Sequence, residues 1–245
     1  AKAIVINMND EFSKVVAVVP SLSPDEKLPN TVKGLLDAGF RRVIVVDDGS
    51  GAEYRHRFEE CAAHAGVTLL RHAVNKGKGA AMKTAFSHVL AEMPDCTGVV
   101  TVDGDGQHRP EYLESMIKKM EEGYDIVIGS RFVGEKKPFT MRMLGSNLIE
   151  MAIRFTTGVN IKDPTSGMRM FSKRMIREFA SGLNYGPEPD TVSYLIRQGA
   201  RVAEVPVIMD ERILGVSYLT PVNAMRYMLK MLISILLIQN FRKRR

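Results

Sequence analysis

The chain has no tryptophan, and only 7% of its residues are aromatic. A surface that stacks nucleobases needs such rings. No nucleic-acid-binding motif stands out either, so nucleic acid is excluded as a partner. Cysteine is scarce: Cys61 and Cys96 stand apart, and neither belongs to a Cys-x-x-Cys pair. That excludes a disulfide framework and predicts a reduced, cytoplasmic protein. The histidines at 56, 64, 72, 88 and 108 lack a zinc-ligand spacing. No apolar run reaches the roughly 20 residues that a membrane-spanning helix needs. The nearest, at 231–238, is too short to span alone. The first residues, 1–7, lack the layout of a cleavable signal.

What is present fits a sizeable α/β domain. The chain has 245 residues, 45% of them apolar, and carries a formal net charge of +6. Much of the positive excess lies in Arg242, Lys243, Arg244 and Arg245. With nucleic acid set aside, a basic chain points to an anionic membrane surface or an anionic small molecule.

Strand-like and helix-like segments alternate along the first half. Apolar, β-branched runs at 14–20, 42–48, 67–70, 99–103 and 125–128 read as buried strands. Helical periodicity is expected at 26–38, 53–65, 80–92 and 110–122. This alternation predicts a mainly parallel twisted sheet with helices on both faces. The second half is less regular: a helix over 141–157, a turn at 163–167, a strand near 168–171, helices over 172–180 and 186–197, and a strand over 201–209. Thr220 and Pro221 then signal the start of a final apolar helix.

Chemistry concentrates where strands end. Asp103, Asp105 and Gln107 follow the fourth strand, punctuated by Gly104 and Gly106. Carboxylate and amide oxygens are hard ligands that suit Mg²⁺ or Mn²⁺, completed by substrate phosphates. Asp47 and Asp48 close the second strand, so both acidic pairs lie on the edge where open α/β sheets bind ligands. The loop Asn75-Lys76-Gly77-Lys78-Gly79 enters a helix, which favours a bound phosphate. It lacks the Walker spacing. Arg131, Arg142, Arg169 and Arg212 follow, and guanidinium forks grip phosphate oxygens bidentately.

In this order the motifs resemble the family 2 inverting glycosyltransferases, specifically the dolichyl-phosphate mannose synthase-like branch, over about residues 14–220. The carriers are Pro20, 45–50, 75–79, 103–108, Gly129-Ser130-Arg131-Phe132, 163–169, 204–207 and 212–217. The resemblance implies a GT-A (Rossmann-like) catalytic domain over 1–219, followed by an apolar helix with a basic tail over 220–245. It implies that Pro20, Asp47, Asp48, Lys76, Lys78, Asp103 and Arg212 hold a UDP-sugar or GDP-mannose donor. It further implies that Asp103, Asp105 and Gln107 serve the divalent ion, and that Arg131, Arg142, Arg169 and Ser146 hold an acceptor phosphate. Asp105 and Arg131 would then act directly in the transfer. The first loop departs from the family, with Ser23 about where an Asn is common.

A lipid phosphate is already ionised and needs no general base. A saccharide or glycolipid hydroxyl would need one, for which Glu188 and Asp190 are the candidates. A non-catalytic nucleotide-sugar-binding scaffold is the rival from another class. The expected location is the cytoplasmic face of a membrane, with the C-terminal helix as interfacial anchor, and self-association stays open.

Overall fold

The computed structural model describes residues 13–104, 112–134, 137, 140–181, 188–208 and 221–238, with the backbone alone at 141, 142, 221–224 and 238. Apart from the run at 67–70, which becomes a half-buried edge strand, the β-branched runs become strands buried on both sides. In β1 (Val15–Ser21), Val16 and Val18 enter one apolar cluster, while Val15, Ala17 and Val19 enter another. β2 (Val43–Asp47) repeats this, with Ile44 and Val46 on one side and Val43 and Val45 on the other. Period-2 alternation between two dry clusters requires cover on both faces, and helices supply it. On the face of Val16 lie α3 (Lys78–Glu92), α5 (Met141–Thr157), α6 (Lys173–Ser181) and α7 (Pro189–Arg197). On the other face lie α1 (Lys27–Asp37), α2 (Arg55–Ala62) and α4 (Leu113–Glu121).

The remaining strands are β3 (Val67–Arg71), β4 (Gly98–Thr101), β5 (Ile126–Ser130), β6 (Arg169–Ser172) and β7 (Val202–Pro206). They form a seven-stranded sheet in the order β3-β2-β1-β4-β6-β5-β7. All pairings are parallel except those of β6, which runs antiparallel between β4 and β5. The mainly parallel sheet with helices on both faces is therefore present, and the reversed strand at its centre is the addition that alternation alone does not reveal.

Several boundaries shift from the sequence-based expectation, for physical reasons. β4 stops at Thr101 rather than Asp103, because its antiparallel register with β6 ends at Thr101 opposite Arg169. The segment from Val102 thus leaves the sheet before the first acidic residue. α3 begins at Lys78, two residues early, because Gly77 at φ +87 makes the entry turn. The helix expected over 53–65 splits into a 3₁₀ turn at Ala52–Tyr54 followed by α2. β7 ends at Pro206, short of the expected 209.

The last helix, α8 (Pro221–Ile233), continues into a π-helical turn at Ser234–Ile238. Among the described residues no helix is long and apolar enough to cross a membrane. α8 seats Met231 in the same core as α5 and α7, and Ile235 of the π turn joins it. A Cβ built on Gly145 of α5 would lie 1.4 Å from Met228 Sδ, so the two helices cross almost in contact. Both cysteines are free and buried, and burial pushes the Cys61 thiol up to about 11.

One aromatic cluster fastens α3, β6 and α6. The rings of Phe86, Phe171 and Phe179 lie 5.8, 5.5 and 5.2 Å apart, edge-on or tilted. All three are buried. Phe171→Ala should lower the unfolding free energy by about 3–5 kcal/mol, read as a fall in the urea midpoint. A loss below about 1 kcal/mol would mean that the cavity collapses and the cluster is not a fastening.

Candidate active site

Parallel pairing brings the ends of β1 and β2 to one edge, with Ser21 in register with Asp47. Asp47 and Asp48 are both buried there. Asp47 Oδ1 accepts from the Ser50 amide at 2.8 Å, and its Oδ2 accepts from Arg71 Nε at 2.8 Å. Asp48 Oδ1 meets His72 Nδ1 at 2.7 Å and accepts from the Lys76 amide at 3.0 Å. His72 Nε2 in turn lies 2.9 Å from Thr84 Oγ1 on α3. A neutral ring with its proton on Nδ1 donates to Asp48 and accepts the Thr84 hydroxyl at Nε2. The acidic pair thus shapes the edge: Asp47 closes its own turn, and Asp48 draws in the basic loop. Gly49 lets the two loops touch, since its φ is +80 and an added Cβ would lie 2.3 Å from the Val74 carbonyl carbon.

The basic loop is exposed. Asn75 Oδ1 accepts from the Gly77 amide at 2.9 Å, which sets the turn into α3. Lys78, the first residue of that helix, reaches across to Asp103, with Nζ 2.5 Å from Oδ1. The two side chains keep 40% and 35% of their surface exposed. A pair that open to water contributes little, about 0–1 kcal/mol, and separates easily. Pro20 is half-buried at the end of β1.

A second set of groups lies across β5, β6 and β7. Asp163 is completely buried and binds Arg131 as a fork: Nε to Oδ2 at 2.7 Å and Nη2 to Oδ1 at 2.8 Å. The Arg131 amide also donates to Oδ2, at 3.2 Å. The hydrogen-bonded Asp163 carboxylate raises the pKa of Arg131, against the opposing effect of burial. Glu204 on β7 accepts the amides of Lys162 and Asp163 at 2.7 and 2.8 Å. The turn after Asp163 then presses on the acidic edge: a Cβ on Gly167 would lie 2.4 Å from Asp103 Oδ2. Thr101 Oγ1 donates to the carbonyls of Gly167 and Arg169, each at 3.2 Å.

The other sequence-derived candidates fall in several places. Arg169 is the arginine of β6 that the resemblance matches to an acceptor phosphate. It is buried, and donates from Nε to Ser166 O at 2.9 Å and from Nη2 to Pro164 O at 2.6 Å. Burial lowers its pKa, opposed by the charges of Glu188, Tyr227, Asp163 and Asp103. Glu188 caps the start of α7 and accepts from the Tyr227 hydroxyl of α8. Asp190 is buried and accepts from Ser234 Oγ at 2.7 Å. Both carboxylates therefore clamp the C-terminal helix. Ser146 on α5 is buried, and its Oγ has no hydrogen-bond partner among the described residues. Asp105, Gln107 and Arg212 lie outside the described residues, as does the side chain of Arg142.

Among the described residues no group of three or more His, Cys, Asp and Glu could hold a metal ion. Of the expected ligands, the described one is Asp103. Its oxygens fit a cation, because the ammonium of Lys78 already sits on one of them. His72, Arg71, Glu204 and Tyr227 belong to this edge or its support, and none was singled out from sequence. The first two come to the edge through strand register, which the sequence does not show: Arg71 pairs with Asp47 across β2 and β3, and His72 follows it.

The Arg131–Asp163 pair is the costly one to break. Asp163→Ala would leave a guanidinium, three-quarters buried, without its fork. Removing one partner of a buried pair typically destabilises by about 3–5 kcal/mol. Chemical denaturation should show a loss of that size. A loss below about 1 kcal/mol would show that Arg131 finds water or another acceptor instead.

Known proteins share both this sequence and this fold. Residues 17–179 match the family model described as glycosyl transferase family 2. The chain is 30% identical over 227 residues to the polyprenol monophosphomannose synthase of Mycolicibacterium smegmatis, covering 89% of this chain and 85% of the relative. It is 31% identical over 213 residues to the undecaprenyl-phosphate mannosyltransferase of Micrococcus luteus, covering 83% and 86%. The fold is similar to that of glucosyl-3-phosphoglycerate synthase from Mycobacterium tuberculosis in complex with Mn²⁺, uridine diphosphate and glucosyl-3-phosphoglycerate. The TM-score is 0.68 at 18% identity, over 94% of this chain and 81% of that one. The protein is a glycosyltransferase that belongs to glycosyl transferase family 2, in its dolichyl-phosphate mannose synthase-like branch.

Proposed function

We propose that the enzyme moves a sugar, with inversion, from a nucleotide-diphospho-sugar to a polyprenyl phosphate. The observation that carries this reading is the shared edge, where the phosphate-attracting start of α3 and the carboxylate of Asp103 meet beside Asp47 and Asp48. The nucleoside end of the donor lies by the Asp48–His72 pair. The diphosphate lies at the amide-rich, lysine-bearing entry to α3. Asp103, with Asp105 and Gln107 of the same segment, would hold Mg²⁺ or Mn²⁺. Such an ion, when bound, offsets the charge of the departing diphosphate. Lys78 must release Asp103 as the donor enters, which its weak, exposed pairing allows.

The acceptor reading rests on what the carboxylates are doing. Glu188 and Asp190 each receive a hydroxyl hydrogen bond from the C-terminal helix region. These contacts support a role in holding that segment, and they favour an acceptor that needs no base. A phosphate oxyanion needs no such base. Asp163 already takes Nε–H and one Nη2–H of Arg131, so a phosphate must use the remaining Nη1 and Nη2 hydrogens or displace the carboxylate. The Ser146 hydroxyl, buried with its hydrogen bond unmade, would be satisfied by an acceptor oxygen. The two relatives reported above are named for polyprenol monophosphomannose and for undecaprenyl-phosphate, which supports a lipid-phosphate acceptor.

The test is release of nucleoside diphosphate from GDP-mannose and from UDP-glucose, with Mg²⁺ or Mn²⁺, with and without a polyprenyl phosphate. Release should depend on the lipid phosphate, and Asp103→Asn should slow it by at least about 100-fold. Release that responds only to oligosaccharide acceptors would assign the edge to hydroxyl transfer instead. Glu188→Gln discriminates further: it should leave the pH dependence of transfer unchanged, whereas loss of the acidic limb, where activity falls as the base becomes protonated, would make Glu188 the general base.

A further inference from the structure

We infer that His72 sets the donor's nucleobase: it locks Asp48 with one oxygen outward, and so selects uracil over guanine and cytosine. The inference rests on the nucleotide-sugar reading above and narrows it to one base. Asp48 is buried, and its side chain keeps 5% of its surface. Its Oδ1 meets two donors, His72 Nδ1 at 2.7 Å and the Lys76 amide at 3.0 Å. Two bonds use both lone pairs of that oxygen. Oδ2 takes no hydrogen bond among the described residues. The described side-chain atoms sealed from solvent without a partner belong to Thr31, Ser146, Thr191 and Arg197. Asp48 Oδ2 is not among them, so it is open to a ligand.

His72 is itself fixed. It is buried, its amide donates to Asp47 O at 2.8 Å, and its Nε2 lies 2.9 Å from Thr84 Oγ1 on α3. Held at its backbone and at both ring nitrogens, it keeps Oδ1 turned inward. The ligand therefore meets one acceptor. A uracil nucleotide carries a single N–H on its base, at N3, and one carboxylate oxygen satisfies it. Guanine carries two neighbouring donors, N1–H and the N2 amine, which call for both oxygens of a carboxylate. With Oδ1 spent, the amine loses its acceptor, and a polar group left unpaired in a site is costly. Cytosine presents a lone pair at N3, so acceptor would face acceptor. A site built around one hydrogen bond rejects a base that lacks the matching group.

The surroundings suit a planar ring. The Asp48 amide donates to Ser21 O and the Ser23 amide to Ser50 Oγ, each at 2.9 Å, which fixes the loop after β1. The loop 72–76 is fixed by the Lys76 amide and by the close approach of Gly49 to Val74. Each loop exposes an apolar side chain, Leu22 in the first and Val74 in the second. Apolar side chains beside a single convergent polar group are what a heteroaromatic ligand takes.

Calorimetric titration of the full chain with UDP, GDP and CDP, each with Mn²⁺, tests this. UDP should bind at least about tenfold more tightly than GDP or CDP. His72→Leu should erase most of that preference by weakening UDP alone. His72→Asn, whose side-chain amide donates from near the place of Nδ1, should keep it. With a UDP-sugar as donor, the loss in His72→Leu should appear in KM rather than in kcat. If all three nucleotides weaken in step in His72→Leu and asparagine restores nothing, His72 is structural and the inference is wrong. GDP binding as tightly as UDP overturns it too, and leaves glycosyl transfer standing. Equal binding of UDP and CDP also overturns it, since Asp48 then reads the ribose. Failure of all three to bind overturns the nucleotide-sugar reading itself, and this inference with it.

Discussion

The carboxylate of Asp163 is the point on which the reaction edge depends. It has no exposed surface, it forks onto Arg131 at the end of β5, and its own amide is held by Glu204 on β7. A buried charge without partners costs several kcal/mol, so this geometry is narrowly defined. It dictates where the turn 163–167 sits, and that turn places Gly167 against Asp103 and gives Arg169 its two carbonyl acceptors. The insertion of β6 as an antiparallel strand beside β4 follows from the same turn. An acid, a turn and a reversed strand thus bring the β5 end of the sheet up to the β1–β2–β4 end, where ligands bind.

The two ion pairs on this edge differ in kind, and their burial separates them. Arg131–Asp163 is largely withdrawn from water, is reinforced by a backbone amide, and is architecture. Lys78–Asp103 is more than one-third exposed on both sides, so solvent screening leaves it weak. Weakness suits the partner exchange that the proposed function asks of Asp103. The same contrast applies to the acidic pair at the end of β2: both residues are buried and spend oxygens on local hydrogen bonds, which stiffens this part of the edge.

The sheet was legible in the sequence because its strands are buried on both faces, and such strands read as unbroken β-branched runs. The positions of Asp47, Asp48 and Asp103 followed at once, since parallel strands share an edge. What could not be read was anything set by tertiary pairing. Arg169 has the composition of a phosphate ligand, yet the turn that buries it is visible only when β6 is placed between β4 and β5. Glu188 and Asp190 look like a general base and its neighbour, yet their partners, Tyr227 and Ser234, lie about forty residues downstream. His72 carried no sequence signal of its own, and acquires a role only because β3 aligns it with Asp48. Asp163 read as a turn residue, and its burial depends on an arginine thirty-two positions earlier.

Under the proposed function the nucleoside lies beside Asp48 and His72 and the diphosphate between Lys78 and Asp103. A crystal structure of the enzyme with a nucleoside diphosphate and Mn²⁺ tests that placement most directly. It should show the diphosphate at the start of α3, Asp103 turned from Lys78 toward the ion, and Arg131 still forked on Asp163. A nucleotide bound away from the β1–β2–β4 edge, or an Asp103 that keeps its lysine while the diphosphate lies elsewhere, would contradict it.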